Sequence, residues 1–337
     1  MANLETHYLG LTLKNPIIIG ASNLVTDPDY LRRLEKAGAA AVVYKSLFEE
    51  QIQLESFEMD DQLQEYSERH AEMVSLFPDI RHAGPAEFLM HLEEARKILS
   101  IPLIASLNCV YESSWVEYAK KIEQTGVDAL ELNFYAVPRD FETEDRHIIN
   151  QQVNIIRAVK QAVSIPVGVK LSPFYTNILR TVKLMDEAGA QAFVMFNRLF
   201  QPDINTETEQ HFYPYNLSSE EDNRLAIRFT GLLYGNIKGN ICSNGGILSG
   251  NDVIKLLLAG ADCVQVVSTI YKNKPEVIQS MLADVNSWME QKKYKNLAGF
   301  RGILSRKNLT DPFIYKRAQY VDIMMRSDNI FNKYPLR

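Results

Sequence analysis

The sequence predicts an α/β protein folded as one (β/α)8 TIM barrel, and three observations predict it. Apolar, β-branched runs alternate with amphipathic helical stretches along most of the 337 residues. There are eight such runs, most of them continuously apolar, as strands covered on both faces should be. Several predicted helices end in a glycine that leads within a few residues into a strand: Ala37-Gly38-Ala39, Thr125-Gly126-Val127, Ala188-Gly189-Ala190 and Ala259-Gly260-Ala261. A glycine just past a helix accepts the left-handed conformation that ends it, so the repeated cadence marks β/α repetition. Eight units in about 270 residues fit a closed parallel barrel better than an open sheet. The open alternative usually carries a GxGxxG loop after its first strand, and here that strand leads into Ala21-Ser22-Asn23.

The elements follow in order. Strand 17–20 ends in Gly20-Ala21-Ser22-Asn23, small residues on which a flat ring can lie, and helix 28–37 follows. Strand 40–45 ends in Lys45-Ser46, and a long connection precedes helix 86–99. Strand 103–107 ends in Ser106-Leu107-Asn108-Cys109 before helix 113–125, and strand 129–133 ends at Asn133 before helix 145–163. Strand 167–171 projects Lys170 before helix 176–187, and strand 192–197 ends at Asn197 before helix 220–234. Strand 240–243 runs into Ser243-Asn244-Gly245-Gly246 and helix 250–259, and strand 263–267 into Ser268-Thr269 and helix 275–291. The long connections after the second and sixth strands fall at the C-terminal face of a barrel, where insertions build substrate pockets. Residues 1–305 read as the barrel domain, and 306–337 as a C-terminal tail whose aromatics suggest docking.

Composition narrows the function. A hydrophobic content of 46% with 23% charged residues suits a soluble protein with a large core. A net charge of −6 argues against a nucleic-acid partner, and no apolar run is long enough to span a membrane. The start, Met1-Ala2-Asn3-Leu4-Glu5, lacks the features of a signal peptide, and three cysteines without metal-like spacing suit a reducing cytoplasm. The six histidines make no ligand spacing, so no metal site is expected.

Polar groups at the end of every strand converge on one concave site. Gly245-Gly246 ahead of a helix, with Ser268-Thr269 opening the next turn, has the layout of a barrel phosphate site. Lys170 among neutral groups is a fixed cation that would stabilise negative charge on a reduced flavin ring. Lys45 can act likewise or pair with a substrate anion, while Asn133 and Asn197 can donate and accept toward a heterocycle with amide edges.

These residues resemble the FMN-dependent dihydroorotate dehydrogenases, most closely the soluble class 1 enzymes. The likeness runs from about residue 9 to 301 through Leu13-Lys14-Asn15-Pro16, Lys45-Ser46, Leu130-Glu131-Leu132-Asn133, Val167-Gly168-Val169-Lys170-Leu171-Ser172-Pro173, Ser243-Asn244-Gly245-Gly246-Ile247, Ala259-Gly260-Ala261 and Val264-Gln265-Val266. The resemblance implies that Ala21, Ser22, Lys45, Ser46, Ser106, Asn133, Lys170 and Asn197 surround the flavin ring, with Asn133 and Asn197 also reaching substrate. It further implies that Asn244, Gly245, Gly246, Val267 and Ser268 hold the FMN phosphate, and that Ser218-Ser219 stands where the family has a Ser-Gly pair. The activity implied is oxidation of dihydroorotate to orotate in pyrimidine biosynthesis, a CH–CH oxidation with hydride passing to FMN, by a homodimer.

The departures fall at the proton acceptor and the substrate loop. Family members carry a Cys or Ser base in the loop after the fourth strand, and here Asn133-Phe134-Tyr135-Ala136-Val137-Pro138 places alanine there. Alanine accepts no proton, which leaves Tyr135 and Cys109 as candidate replacements. An acidic stretch including Glu49, Glu50, Glu55, Glu58, Asp60 and Asp61 replaces the family loop that grips orotate. The alternatives are therefore a flavin oxidoreductase for another small substrate, or a flavin-binding protein without this activity. No four-cysteine pattern or nicotinamide fingerprint identifies the electron acceptor.

Overall fold

The computed structural model describes residues 2–53, 84–135, 141–198, 202–212, 214, 217–326, 331–332 and 335. Eight parallel strands close into a barrel: β1 Ile17–Ile19, β2 Ala41–Val43, β3 Leu103–Asn108, β4 Ala129–Asn133, β5 Val167–Leu171, β6 Ala192–Met195, β7 Asn240–Asn244 and β8 Cys263–Val266. Each strand pairs with the next, and β8 returns to β1 through Val264 opposite Ile17. Helices α1 Pro28–Lys36, α2 Pro85–Ile98, α3 Glu112–Gln124, α4 Asp145–Ala162, α5 Ile178–Glu187, α6 Asn223–Leu233, α7 Gly250–Ala259, the short α8 Ser268–Asn273 and α9 Val277–Lys292 complete the outer ring. The predicted strands 40–45 and 192–197 end earlier in the fold, at Val43 and Met195, although the Tyr44 amide still donates to the Ile104 carbonyl at 2.7 Å and the Asn197 amide to the Leu171 carbonyl at 2.8 Å. The helix-ending glycines Gly38, Gly126, Gly189 and Gly260 all take positive φ, which is the reason the cadence requires glycine there.

Side chains alternate between two cores. Odd residues of β4 and even residues of β5 and β7 face the barrel interior, while their neighbours pack beneath the helices. The lower interior is filled by Ile18, Ala41, Val43, Ile104, Ala129, Ala192, Val194, Cys242 and Cys263.

That interior is closed from below by a hairpin absent from the sequence-based assignment. Thr6–Tyr8 pairs with Leu11–Leu13 around Leu9-Gly10, which take φ of 53° and 72°. Positive φ at both turn residues fits the right-handed twist of the flanking strands. For leucine this conformation costs about 1–2 kcal/mol. The cost is tolerated because Leu9 is fully buried with Tyr8 and Leu13 in the barrel core. Gly168 leaves room for it: a Cβ there would stand 3.3 Å from the tip of Leu9. The Leu9 amide donates to Asn240 Oδ1 at 3.0 Å, and the Thr6 hydroxyl donates to the Asp262 carbonyl at 2.8 Å.

A second hairpin, Asp203–Asn205 with Gln210–Phe212, stands exposed in the connection after β6. The chain beyond α9 returns along α6 and α7, where the Arg306 amide donates to the Gly231 carbonyl and Tyr315 lies over Gly231. A last helix, α10 Ala318–Met325, carries the exposed side chains of Tyr320, Val321, Ile323, Met324 and Met325. Among the described residues no helix is long and apolar enough to cross a membrane.

Replacing Leu9 by Ala keeps the strained turn and empties the plug, so unfolding stability should fall by about 2–5 kcal/mol. Urea denaturation measures this; an unchanged midpoint would show that the barrel does not depend on its base.

Candidate active site

Above the apolar base the interior turns polar. Continuing the inward parity upward gives Lys45 on the β2 side, Ser106 on β3, Glu131 and Asn133 on β4, Lys170 on β5, Asn244 on β7 and Gln265 on β8. Asn197 Nδ2 donates to Asn133 Oδ1 at 2.9 Å, joining the predicted amides across the mouth. Phe134 is buried edge-on against Trp115 at 5.3 Å between ring centroids, which fixes the end of β4. Ser46 and Ser106 share a hydrogen bond of 2.7 Å, both buried. Lys45 is half-buried at the end of β2.

Lys170 is 5% exposed, and its ammonium donates to Gln265 Oε1 at 3.4 Å. It lies 3.8 Å from Glu131 Oε1. Both contacts are long, so charge holds the ammonium in place while much of its donor capacity stays available to a ligand. Glu131 and Gln265 belong to the segments quoted for the family resemblance, but neither was assigned a role from the sequence. A polar residue inside a continuously apolar strand is the signal that marks both.

At the other side of the mouth, β7 runs into Gly245 and Gly246, with φ of 90° and 67°. A Cβ on Gly245 would meet nothing within 4 Å, so its backbone borders open space. A Cβ on Gly246 would collide with the backbone of Ser219, Asp222 and Asn223, so only glycine fits. Asn223 Nδ2 donates to the Gly246 carbonyl at 3.1 Å and to Asp252 Oδ1 at 3.0 Å. Asp252 and Ser249 form a capping box at the start of α7; burial pushes the Asp252 carboxyl up, but the Lys255 ammonium and hydrogen bonds from Ser249 and Leu248 outweigh it and hold the carboxyl below its usual range. The glycine turn is thereby fixed to a helix N-terminus. Asn244 Nδ2 donates to the Phe196 carbonyl at 3.0 Å.

Ser218 donates to Ser268 Oγ from its amide at 2.9 Å and its hydroxyl at 2.8 Å, and Lys272 donates to the Ser218 carbonyl at 2.8 Å. Ser218 is buried in this contact, while Ser219 is exposed with its hydroxyl on Asp222. Gly20 packs directly on Val267, and Ala21 and Ser22 continue along the rim. The small residues at the rim, the Lys170 ammonium and the glycine turn at a helix N-terminus supply what FMN would require of the residues holding its ring and its phosphate, so these residues fit that group.

The two candidate proton acceptors differ. Tyr135 stands at the rim with 43% exposure, and the alanine at position 136 lies outside the described residues, as does the segment 54–83 with most of the acidic stretch. Cys109 is buried, and burial followed by the charges of Glu49 and Glu50 pushes its thiol far up, so it does not serve as a base near neutral pH. Glu49 itself is 3% exposed and accepts from the Val110 amide at 3.1 Å and the Ser114 hydroxyl at 2.9 Å. This carboxylate anchors the start of α3 instead of facing a ligand. The shallow hollow lined by Ser113, Val116, Glu117 and Lys120 lies along one helix, away from these strand ends. Among the described residues no cluster of His, Cys, Asp or Glu could hold a metal ion.

All three cysteines are buried and free. A native sample should show almost no reaction with a disulfide reagent near pH 8, and an unfolded one should titrate three thiols. Fast native labelling of Cys109 would return it to the list of proton acceptors.

Comparison with known families and curated proteins gives a consistent picture. The dihydroorotate dehydrogenase family profile matches residues 72–289. The catalytic subunit of dihydroorotate dehydrogenase B (NAD(+)) from Methanocaldococcus jannaschii is 26% identical over 301 residues, covering 86% of this chain and 94% of its own. The protein of the same name from Methanosarcina acetivorans is 28% identical over 313 residues, covering 87% and 94%. Dihydroorotate dehydrogenase A (fumarate) from Lactobacillus delbrueckii subsp. bulgaricus is 30% identical over 213 residues, covering 58% of this chain and 69% of its own.

Proposed function

The chain belongs to the dihydroorotate dehydrogenase family, and on that premise we propose that it is an FMN-dependent oxidoreductase that converts dihydroorotate to orotate. The observation that carries this reading is Lys170, a buried cation at the end of β5 beneath the hydrogen-bonded Asn133–Asn197 pair. Bound at the mouth, FMN supplies a two-electron acceptor for the hydride leaving a CH–CH bond. Lys170 steadies the negative charge that accompanies reduction. Lys45, Ser46, Ser106, Ala21 and Ser22 border the ring, and Asn133 with Asn197 orients the amide edges of the substrate. Asn244, Gly245, Gly246, Val267 and Ser268 hold the phosphate, with Ser218 and Ser219 beside them. Tyr135 is the proton acceptor of this reading, being the titratable side chain next to the vacant base position.

Residues 1–305 form the flavin-binding unit in this proposal and 306–337 its tail. The protein works as a cytoplasmic homodimer. The electron acceptor is NAD(+) or fumarate, the acceptors named in its relatives, and a separate subunit accompanies it in the first case.

A second reading is favoured by Ala136: the same flavin site acting on another small substrate whose oxidation needs no Cys or Ser base. Anaerobic stopped-flow separates the two. The purified protein should be yellow and should bleach on mixing with L-dihydroorotate. Bleaching by dithionite alone would keep the flavin and discard this substrate. Lys170→Met should slow flavin reduction by about a hundredfold or more. Tyr135→Phe should abolish reduction by substrate while leaving bound flavin, and an unchanged rate would remove Tyr135 from the mechanism.

A further inference from the structure

We infer that Glu131 is a positioning residue for Lys170: its buried carboxylate holds the ammonium, offsets part of its charge, and so sets how strongly the site favours a reduced, negatively charged ring. This rests on the reading of the barrel mouth as a flavin site. Glu131 lies on β4 between Ala129 and Asn133 and is 1% exposed. A carboxylate so placed is strongly unfavourable unless paired and hydrogen-bonded. Its Oε2 accepts from Gln265 Nε2 at 2.6 Å, while its Oε1 has no hydrogen-bond donor and lies 3.8 Å from the Lys170 ammonium.

Gln265 is fully buried and links the two charges. Its amide nitrogen donates to the carboxylate and its oxygen accepts from Lys170 at 3.4 Å, so the amide dipole is aligned with the pair. Reversing it would set like poles together on both sides. Carboxylate, amide and ammonium thus form a ring of three, from the adjacent strands β4 and β5 and from β8 across the barrel, directly above the apolar base. Lys170 is within reach of one counter-charge without a short hydrogen bond to it. Negative charge developing on a ligand above Lys170 competes with Glu131 for the same ammonium. Removing the Glu131 charge frees the full field of Lys170 for that ligand, and removing Lys170 strands the carboxylate.

The test is the equilibrium between bound FMN and a reference dye during anaerobic reductive titration. Glu131→Gln should move it at least about tenfold toward reduced flavin, about 30 mV for a two-electron couple. Glu131→Met removes the same charge and should do the same if the glutamine variant does not accumulate. Glu131→Asp, which keeps the charge, should stay near the wild-type equilibrium. Lys170→Met should move it the other way, and in that background Glu131→Gln should have no further effect. An unmoved equilibrium in Glu131→Gln, an equal shift in Glu131→Asp, or a shift that persists without Lys170 overturns the inference. Urea unfolding of the flavin-free protein gives an independent readout: K170M/E131Q should be more stable than K170M alone, and additive losses would overturn the pair. A protein that binds no FMN would end the flavin reading and the redox role with it, while the unfolding cycle decides the pair separately.

Discussion

An eight-stranded barrel must fill its own interior, and the filling decides where polar chemistry can stand. The lower half is filled by small and medium apolar side chains, with Tyr8, Leu9 and Leu13 inserted from the N-terminal hairpin. The plug keeps water from reaching the middle of the barrel from below. A lysine and a glutamate placed just above it are therefore held in a low-dielectric setting and open to one side. Were the base wet, the field of Lys170 would be screened before it reached the mouth. The left-handed backbone at Leu9 and the buried charges at Lys170 and Glu131 are in this sense one arrangement.

The upper half is built differently. Strand ends supply side chains in fixed directions, and the turns between strand and helix are tied down by groups away from the mouth. Asn223 and Asp252 brace the glycine turn after β7. Glu49 anchors the connection between β3 and α3 through Val110 and Ser114. Neither carboxylate faces the mouth, so among the described residues the inward ammonium of Lys170 meets neutral amides, hydroxyls and the Glu131 carboxylate beneath it, with Lys45 half-buried at the end of β2. On the proposed function, a site of this kind would hold a planar ligand by shape and donors and answer a change in its charge through Lys170.

Much of this was legible in the sequence, and what was not has physical reasons. Continuous apolar runs and the glycine cadence located all eight strands, because parallel strands covered on both faces leave that signature. Lys170, Asn133 and Gly245-Gly246 were visible because they break apolar runs at strand ends. The N-terminal hairpin escaped because its strands are three residues long, too short for periodicity, and because Leu-Gly is not a turn signal without knowing that leucine is buried as a plug. Helix Ser268–Asn273 escaped for a similar reason: six residues do not complete two turns. Glu49 read as part of an open acidic stretch, since nothing local reveals that Val110 and Ser114 fold over it.

The partnership of Glu131 with Gln265 could not be read from either strand alone, because 134 residues separate them and only barrel closure brings β4 and β8 across from each other. What the sequence does contain is the parity. Ala129, Glu131 and Asn133 share one face of β4, and Cys263 and Gln265 share one face of β8. Once the interior face is known from the apolar base, both polar residues must point into it. Two polar side chains buried on the interior of one closed barrel, with the Lys170 ammonium of β5 entering the same space, meet each other and that lysine. The apolar residues below thus determine the electrostatics above, through nothing more than the two-residue repeat of a strand.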